Sequence, residues 1–382
     1  MAPHHDLIEA ARTQTGLDDF GDDSFREGLE RLVRSLHAEA RLHTAGQETL
    51  RGLIVNLLAQ RLQVEDWYRR HPEIDDEPVE RPLIGLGLPR TGSTALSFLL
   101  AEDPGARSLS RWEAEKPCPP PSTVSGSDAR IERSRAVVER EKREEKRRRA
   151  LVPASATGPT ECLSLLALDF KSQMFQGLAL VPSYSSWLLH EADLTSAYRY
   201  ERRVLKLLQW GRPPRPWRLK SPAHLLFLDH LDRAFPDARF VMTHRDPTEV
   251  IVSAADLCAE ITRRYSDDVD PHYLGALNVE HWSVGMERAL AFRDRDTGGR
   301  FHDIDFRAMQ SDPIGEVRRL YAWLGEPVTE AFETGMDRWW QENAARREPN
   351  VHPEPAAFGI DPDRVRPLFA GYTARAARWT AR

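Results

Sequence analysis

The sequence predicts an α/β fold: a mainly parallel sheet flanked by helices, with a helical N-terminal extension. Three observations carry this. The first 75 residues show apolar side chains only at helical spacing. From Arg81 onward, short apolar runs alternate with helical stretches, the rhythm of parallel strands joined by helices. One such run passes into a helix through a glycine-rich turn, Gly87 to Gly92.

Taking the elements in order, Leu29, Leu32, Val33, Leu36 and Ala40 repeat with a helical period, as do Leu50, Leu53, Ile54, Leu57, Leu58 and Leu62. Pro82 to Leu88 suits a buried strand. A helix follows from about Ser93 to Glu102, closed by Asp103-Pro104-Gly105. Residues 117–127 are rich in Pro and Ser and read as a loop. Residues 130–149, RIERSRAVVEREKREEKRRR, place opposite charges four apart and read as a solvated helix. Residues 160–210 read as mainly helical. They carry Phe170, Met174, Phe175, Tyr184, Trp187, Tyr198, Tyr200 and Trp210, for the most part core, with some expected to line an apolar acceptor site. Strands then recur at Trp217 to Lys220, Ala238 to Thr243 and Ile304 to Phe306. Ser221-Pro222, Asp246-Pro247 and Asp312-Pro313 are helix starts. The expected division is a helical subdomain over 1–78 and a main domain over 79–382, with a helical insertion around 128–212.

Composition narrows the function. The chain has 382 residues and a formal net charge of −6 at pH 7, so nothing general draws it to nucleic acid or anionic lipid. An anion site must be a local basic cluster. Three cysteines, Cys118, Cys162 and Cys258, are too far apart in sequence for a C-x-x-C pair and fit a reducing compartment. No secretory signal is evident, and no run of about 18 apolar residues would span a bilayer. A cytoplasmic enzyme is the expected class.

The most informative segment is Gly87-Leu88-Pro89-Arg90-Thr91-Gly92-Ser93-Thr94. It has P-loop spacing, after a strand and before a helix. The glycines let the backbone curl so that N–H groups point inward, and the helix adds its positive end. The lysine that reaches the β- and γ-phosphates in nucleotide triphosphatases is replaced by Ser93. The nearest cation is Arg90, inside the loop. This suits one 5′-phosphate with a transferring anionic group better than a triphosphate with magnesium.

Two more strand ends carry cations. Lys220, in Leu219-Lys220-Ser221-Pro222, is one of six lysines against 47 arginines. Arg245 follows the strand ending at Thr243, and Ser253 lies two turns into the next helix, so both can face one ligand. Open α/β sheets bind ligands outside the carboxyl ends of their strands. Arg90, Lys220 and Arg245 therefore predict a site for a ligand with two separated anionic groups.

These segments resemble the sulfotransferases that use 3′-phosphoadenosine-5′-phosphosulfate (PAPS). GLPRTGSTAL is similar to their 5′-phosphosulfate loop, in the Pro-Arg form of bacterial and tyrosylprotein members. FVMTHRDPTEVIVSAADL is similar to their 3′-phosphate segment, and LKSPAHL to the Lys-Ser segment of heparan-type members. The likeness covers most of the chain and is strongest to the actinobacterial branch with mycobacterial lipid and menaquinone enzymes. It implies a P-loop-like core, PAPS as donor, 3′-phosphoadenosine 5′-phosphate (PAP) as product, and no metal. Gly87, Pro89, Arg90, Thr91, Gly92, Ser93 and Thr94 would hold the 5′-phosphosulfate. Arg245 and Ser253 would hold the 3′-phosphate. Arg90 and Lys220 would neutralise the sulfuryl group and leaving phosphate during in-line displacement. The family's glycine-rich C-terminal nucleotide loop is not evident in 341–359, which carries Arg346 and Arg347.

By position, the resemblance makes Glu113 the first choice for the base that takes the acceptor proton. His224, one turn past Lys220, is its rival, and Glu161 is a third option. The expected partner is a small-molecule hydroxyl: an apolar or aromatic alcohol or phenol, or a lipid reached at a membrane surface. Two other readings stand beside this one. A P-loop kinase or nucleotidase would bind ATP and magnesium. A non-catalytic nucleotide-binding protein would bind PAP without turnover.

Overall fold

The computed structural model describes residues 3–144, 155–344 and 353–381. The chain opens with three helices, α1 (His4–Thr15), α2 (Ser24–Ala38) and α3 (Thr44–Arg70). Phe25, Leu29, Leu32, Val33 and Leu36 form the buried stripe of α2, and Leu50, Ile54, Leu57, Leu58 and Leu62 that of α3. The apolar side chains of these helices join one continuous core with Ile84, Leu86, Trp217 and Phe240 from the sheet.

Five strands follow: β1 (Leu83–Gly87), β2 (Arg107–Ser108), β3 (Trp217–Lys220), β4 (Arg239–His244) and β5 (Phe301–Asp305). They pair in parallel in the order β2-β3-β1-β4-β5. β1 and β3 are buried at every residue, as a parallel strand covered on both faces requires. Alternate side chains feed opposite layers. Ile84, Leu86, Phe240 and Met242 enter the main core. Leu83, Val241 and Ile304 enter a second cluster with Leu96, Leu99, Val317, Leu320 and Phe332.

All strands being parallel, their carboxyl ends lie along one edge of the sheet. The helix α4 (Ser93–Leu100) starts at that edge, after β1. Lys220 closes β3, and the helix Pro247–Thr262 leaves β4 through an Asp246 cap that accepts from the Thr248 N–H. The helix Pro313–Leu324 is capped in the same way by Asp312.

Two features differ from the sequence reading. β2 is only two residues long, too short to leave a sequence pattern. After Ser221 the chain forms a short 3-10 turn, Pro222–Leu226, so Ser221-Pro222 starts that turn and the α-helix begins only at Leu228 and runs to Ala234. Phe170, Phe175, Tyr184, Trp187, Tyr198 and Tyr200 are buried in the main core. Met174 and Trp210 are partly buried against that core, so this set is for the most part core, as expected. The charged helix runs over Ala129–Glu144; residues 145–149, and Arg346 and Arg347, lie outside the described residues.

Candidate active site

The loop between β1 and α4 is shaped by close backbone contact. A Cβ on Gly87, whose φ is +132°, would stand 2.6 Å from the Thr243 carbonyl oxygen on β4. Gly92 has a φ of +87° and Arg90 one of +62°, so the chain turns twice through the left-handed region that favours glycine. Thr91 fixes the loop from within. Its hydroxyl donates to the Leu88 carbonyl at 2.7 Å and meets the Thr243 hydroxyl at 2.6 Å. Thr91 is wholly buried, and its side chain holds the loop to β4. The first N–H groups of α4 have no partners within the helix and point out of its end, where an anion would sit.

On the β4 side, Arg90 Nε donates to Ser253 Oγ at 3.1 Å. Arg245 Nη1 donates to the Arg90 carbonyl at 3.0 Å. The remaining donors of Arg245 used here, Nε and Nη2, hold Glu249 Oε2 at 3.1 and 2.9 Å, and its guanidinium lies 4.4 Å from the Phe306 ring centroid. Arg90, Arg245 and Ser253 are therefore brought together. Glu249 and Phe306 are partners that the sequence reading missed. The Arg245–Glu249 pair has i,i+4 spacing and was legible; the Phe306 contact depends on β5 lying beside β4.

A cavity of about 320 Å³ opens next to Arg245, lined by His244, Phe306, Tyr372 and Ala376 among others. Its wall is braced by a buried chain. Arg293 holds Asp303 through two bonds of 2.7 and 2.9 Å. Asp303 holds His244 Nε2 at 2.7 Å, and His244 Nδ1 meets the Tyr372 hydroxyl at 3.2 Å. Hydrogen bonds from Arg293 and His244 hold the Asp303 carboxyl down at about 2, against the upward push of its burial, which is the largest single effect.

On the β3 side, the Lys220 side chain packs across Gly85, where an added Cβ would come within 3.1 Å of its Cγ. Its ammonium donates to Glu161 Oε1 at 2.8 Å and to Thr94 Oγ1, in the first turn of α4, at 3.3 Å. Lys220 thus faces the loop, and Glu161 comes with it.

The other two base candidates sit differently. Glu113 is buried, with Oε1 accepting from Arg107 at 2.7 Å and Oε2 from the Ser110 N–H at 3.2 Å. It completes a capping box on the helix Arg111–Glu115. His224 is fully enclosed. Burial, and then the nearby Lys220 charge, lower its pKa to about 3. Its Nδ1 meets the Tyr198 hydroxyl at 3.0 Å, and donor atoms of Cys162, Glu201 and His224 lie within 4.8 Å of one another. Enclosure and weak basicity both disfavour His224 as a proton acceptor.

That enclosed cluster has a measurable consequence. Burial pushes Glu201 up to about 8 from an ordinary value of 4.5. The folded chain therefore keeps a proton that the unfolded chain releases. The stability from this group is complete below pH 4.5 and is lost as pH rises toward 8. Urea denaturation should show wild-type stability falling relative to Glu201→Gln between pH 5 and pH 8. Parallel pH dependence in the two proteins would contradict the burial of an uncompensated carboxyl.

Comparison with known proteins adds to this geometry. A model of the sulfotransferase family matches residues 82–330. The chain is also similar to the solved structure of sulfotransferase STF9 from Mycobacterium avium, at 32% identity. That match covers 98% of this chain and 97% of the other, with a TM-score of 0.89. Sulfotransferase STF1 from Mycobacterium tuberculosis H37Rv is 31% identical over 97% of this chain and 99% of its own, with a TM-score of 0.85. A comparison with curated protein sequences gives no match. Among the described residues, no helix is long and apolar enough to cross a membrane.

Proposed function

The chain belongs to the sulfotransferase family, and from that premise we propose that it transfers the sulfuryl group of PAPS to a hydroxyl of a small-molecule acceptor, releasing PAP. The observation that carries this reading is the pairing of two basic centres across one loop. Arg90, Arg245 and Ser253 meet on the β4 side, and Lys220 reaches Thr94 on the β3 side. A donor with a 3′-phosphate and a 5′-phosphosulfate has anionic groups at both ends and suits such a site.

In this reading the α4 amides and the loop backbone hold the 5′-phosphosulfate. Arg245 and Ser253 hold the 3′-phosphate. The cavity beside Arg245 receives the nucleoside, with Phe306 on its wall. Arg90 and Lys220 balance charge that grows on the leaving phosphate as the acceptor oxygen attacks sulfur in line. The protein positions and neutralises; the chemistry needs no metal ion. We place the enzyme in the cytoplasm, where cysteine side chains remain thiols. Alcohols, phenols and lipids with an accessible hydroxyl are all candidate acceptors.

Incubation with sulfur-35-labelled PAPS and a panel of alcohols, phenols and hydroxylated lipids tests the reading. The expected result is one labelled sulfate ester for each PAP released. A protein that binds PAP but leaves PAPS intact with every acceptor, water included, would be a nucleotide-binding protein and not a transferase.

A further inference from the structure

We propose that Glu161, not Glu113 or His224, takes the proton from the acceptor hydroxyl; this rests on the sulfuryl-transfer reading above.

The backbone delivers Glu161 to the site. Residues 156–162 run against 109–112: the Arg111, Trp112 and Thr160 N–H groups donate to the Gly158, Ala156 and Leu109 carbonyls at 3.0, 3.1 and 2.8 Å. The Cys162 N–H then donates to the Lys220 carbonyl at 3.2 Å. The segment is thereby fixed to the carboxyl end of β3, with Glu161 beside the Lys220 ammonium. A residue far from the loop in sequence becomes the carboxylate joined to Thr94 through a single cation.

Its surroundings fit a proton acceptor. The side chain is 33% exposed, so a substrate can reach it. Oε1 holds Lys220, and among the described residues no other hydrogen bond to this carboxylate occurs, leaving Oε2 for the acceptor. Glu113 offers neither condition, since both of its oxygens are engaged and it is buried.

The step balances as follows. The acceptor oxygen forms a bond to sulfur and passes its proton to Glu161 Oε2. The bond from sulfur to the bridging oxygen breaks, and its electron pair leaves on the 5′-phosphate of PAP. The Lys220 ammonium, beside both Thr94 and Glu161, balances the charge that builds on that oxygen.

The test compares full-length wild type, Glu161→Gln, Glu161→Asp and Glu113→Gln. PAP affinity is read by calorimetry. Turnover of PAPS is read with 4-methylphenol, whose hydroxyl keeps its proton near neutral pH, and, separately, with water as the hydroxyl acceptor. Glutamine keeps an oxygen for Lys220 but cannot take the proton. Glu161→Gln should therefore lose about 100-fold or more in kcat, with PAP affinity within about threefold, a range too small to signal a rebuilt donor site. The acid limb of its pH–rate profile should disappear, and Glu161→Asp should restore part of the rate. Loss of Lys220 positioning alone would leave the acid limb in place. The proposal is overturned if Glu161→Gln retains more than about a tenth of wild-type kcat, less than the range general-base catalysis supplies. It is also overturned if Glu113→Gln loses as much or more with PAP affinity intact, or if wild type binds PAP yet never consumes PAPS. Failure of the wild type to bind PAP would instead sink the donor reading.

Discussion

Replacing Lys220 with methionine should lower PAPS turnover by about 100- to 1,000-fold while PAP affinity changes by less than about tenfold. One preorganised donor aimed at developing charge is worth about that much in a dry site. Lys220 fits that description. Its side chain is 7% exposed, it is braced against Gly85, and its ammonium is held between Thr94 and Glu161. Methionine keeps most of the apolar stem and removes the ammonium with its bonds to Thr94 and Glu161. The effect falls on kcat because the charge that Lys220 meets grows during bond breaking and is smaller in the bound donor. Steady-state kinetics beside calorimetry separates the two quantities. A kcat within tenfold of wild type would remove Lys220 from the reacting centre.

Arg245→Ala should act on the other quantity, weakening PAP by about 10- to 150-fold, the equivalent of roughly 1.5–3 kcal/mol for a charged hydrogen bond. Arg245 is occupied by Glu249 before any ligand arrives. Glu249 is 52% exposed, and pairs of that kind contribute about 0–1 kcal/mol, so a phosphate displaces it readily. Glu249→Ala should therefore leave PAP affinity unchanged or modestly improved. AMP, which has no 3′-phosphate, should lose little on Arg245→Ala. Equal losses for AMP and PAP would place Arg245 elsewhere than at the 3′-phosphate.

The sheet was legible because buried parallel strands leave short apolar runs, as in Leu83 to Gly87 and Phe240 to Met242. The loop was legible because its glycines and the two helix starts are local signals. What lay hidden depends on contacts between distant segments. Thr91 reads as a ligand residue, yet its hydroxyl spans to Thr243, a partner set by β1–β4 register. Glu161 has no local motif; its place comes from backbone pairing with 109–112. The engagement of Glu113 was written locally, since Ser110 and Glu113 have capping-box spacing. The aromatics of 160–210 look the same in sequence whether they line a pocket or fill a core, and most fill the core. The loop from Gly87 to Thr94, the surest signal in the chain, stands here with a basic centre on each side: Arg90, Arg245 and Ser253 on one, Lys220 with Glu161 on the other.

On the proposed function, this loop and its flanking cations hold a nucleotide phosphorylated at both the 3′ and 5′ positions. Calorimetric titration of the full-length protein with PAP, AMP and ATP–magnesium tests it most directly. PAP should bind tightest, with AMP weaker by about tenfold or more for want of the 3′-phosphate contacts, and ATP–magnesium weaker than PAP. Tighter binding of ATP–magnesium, or equal affinity for PAP and AMP, would contradict the account.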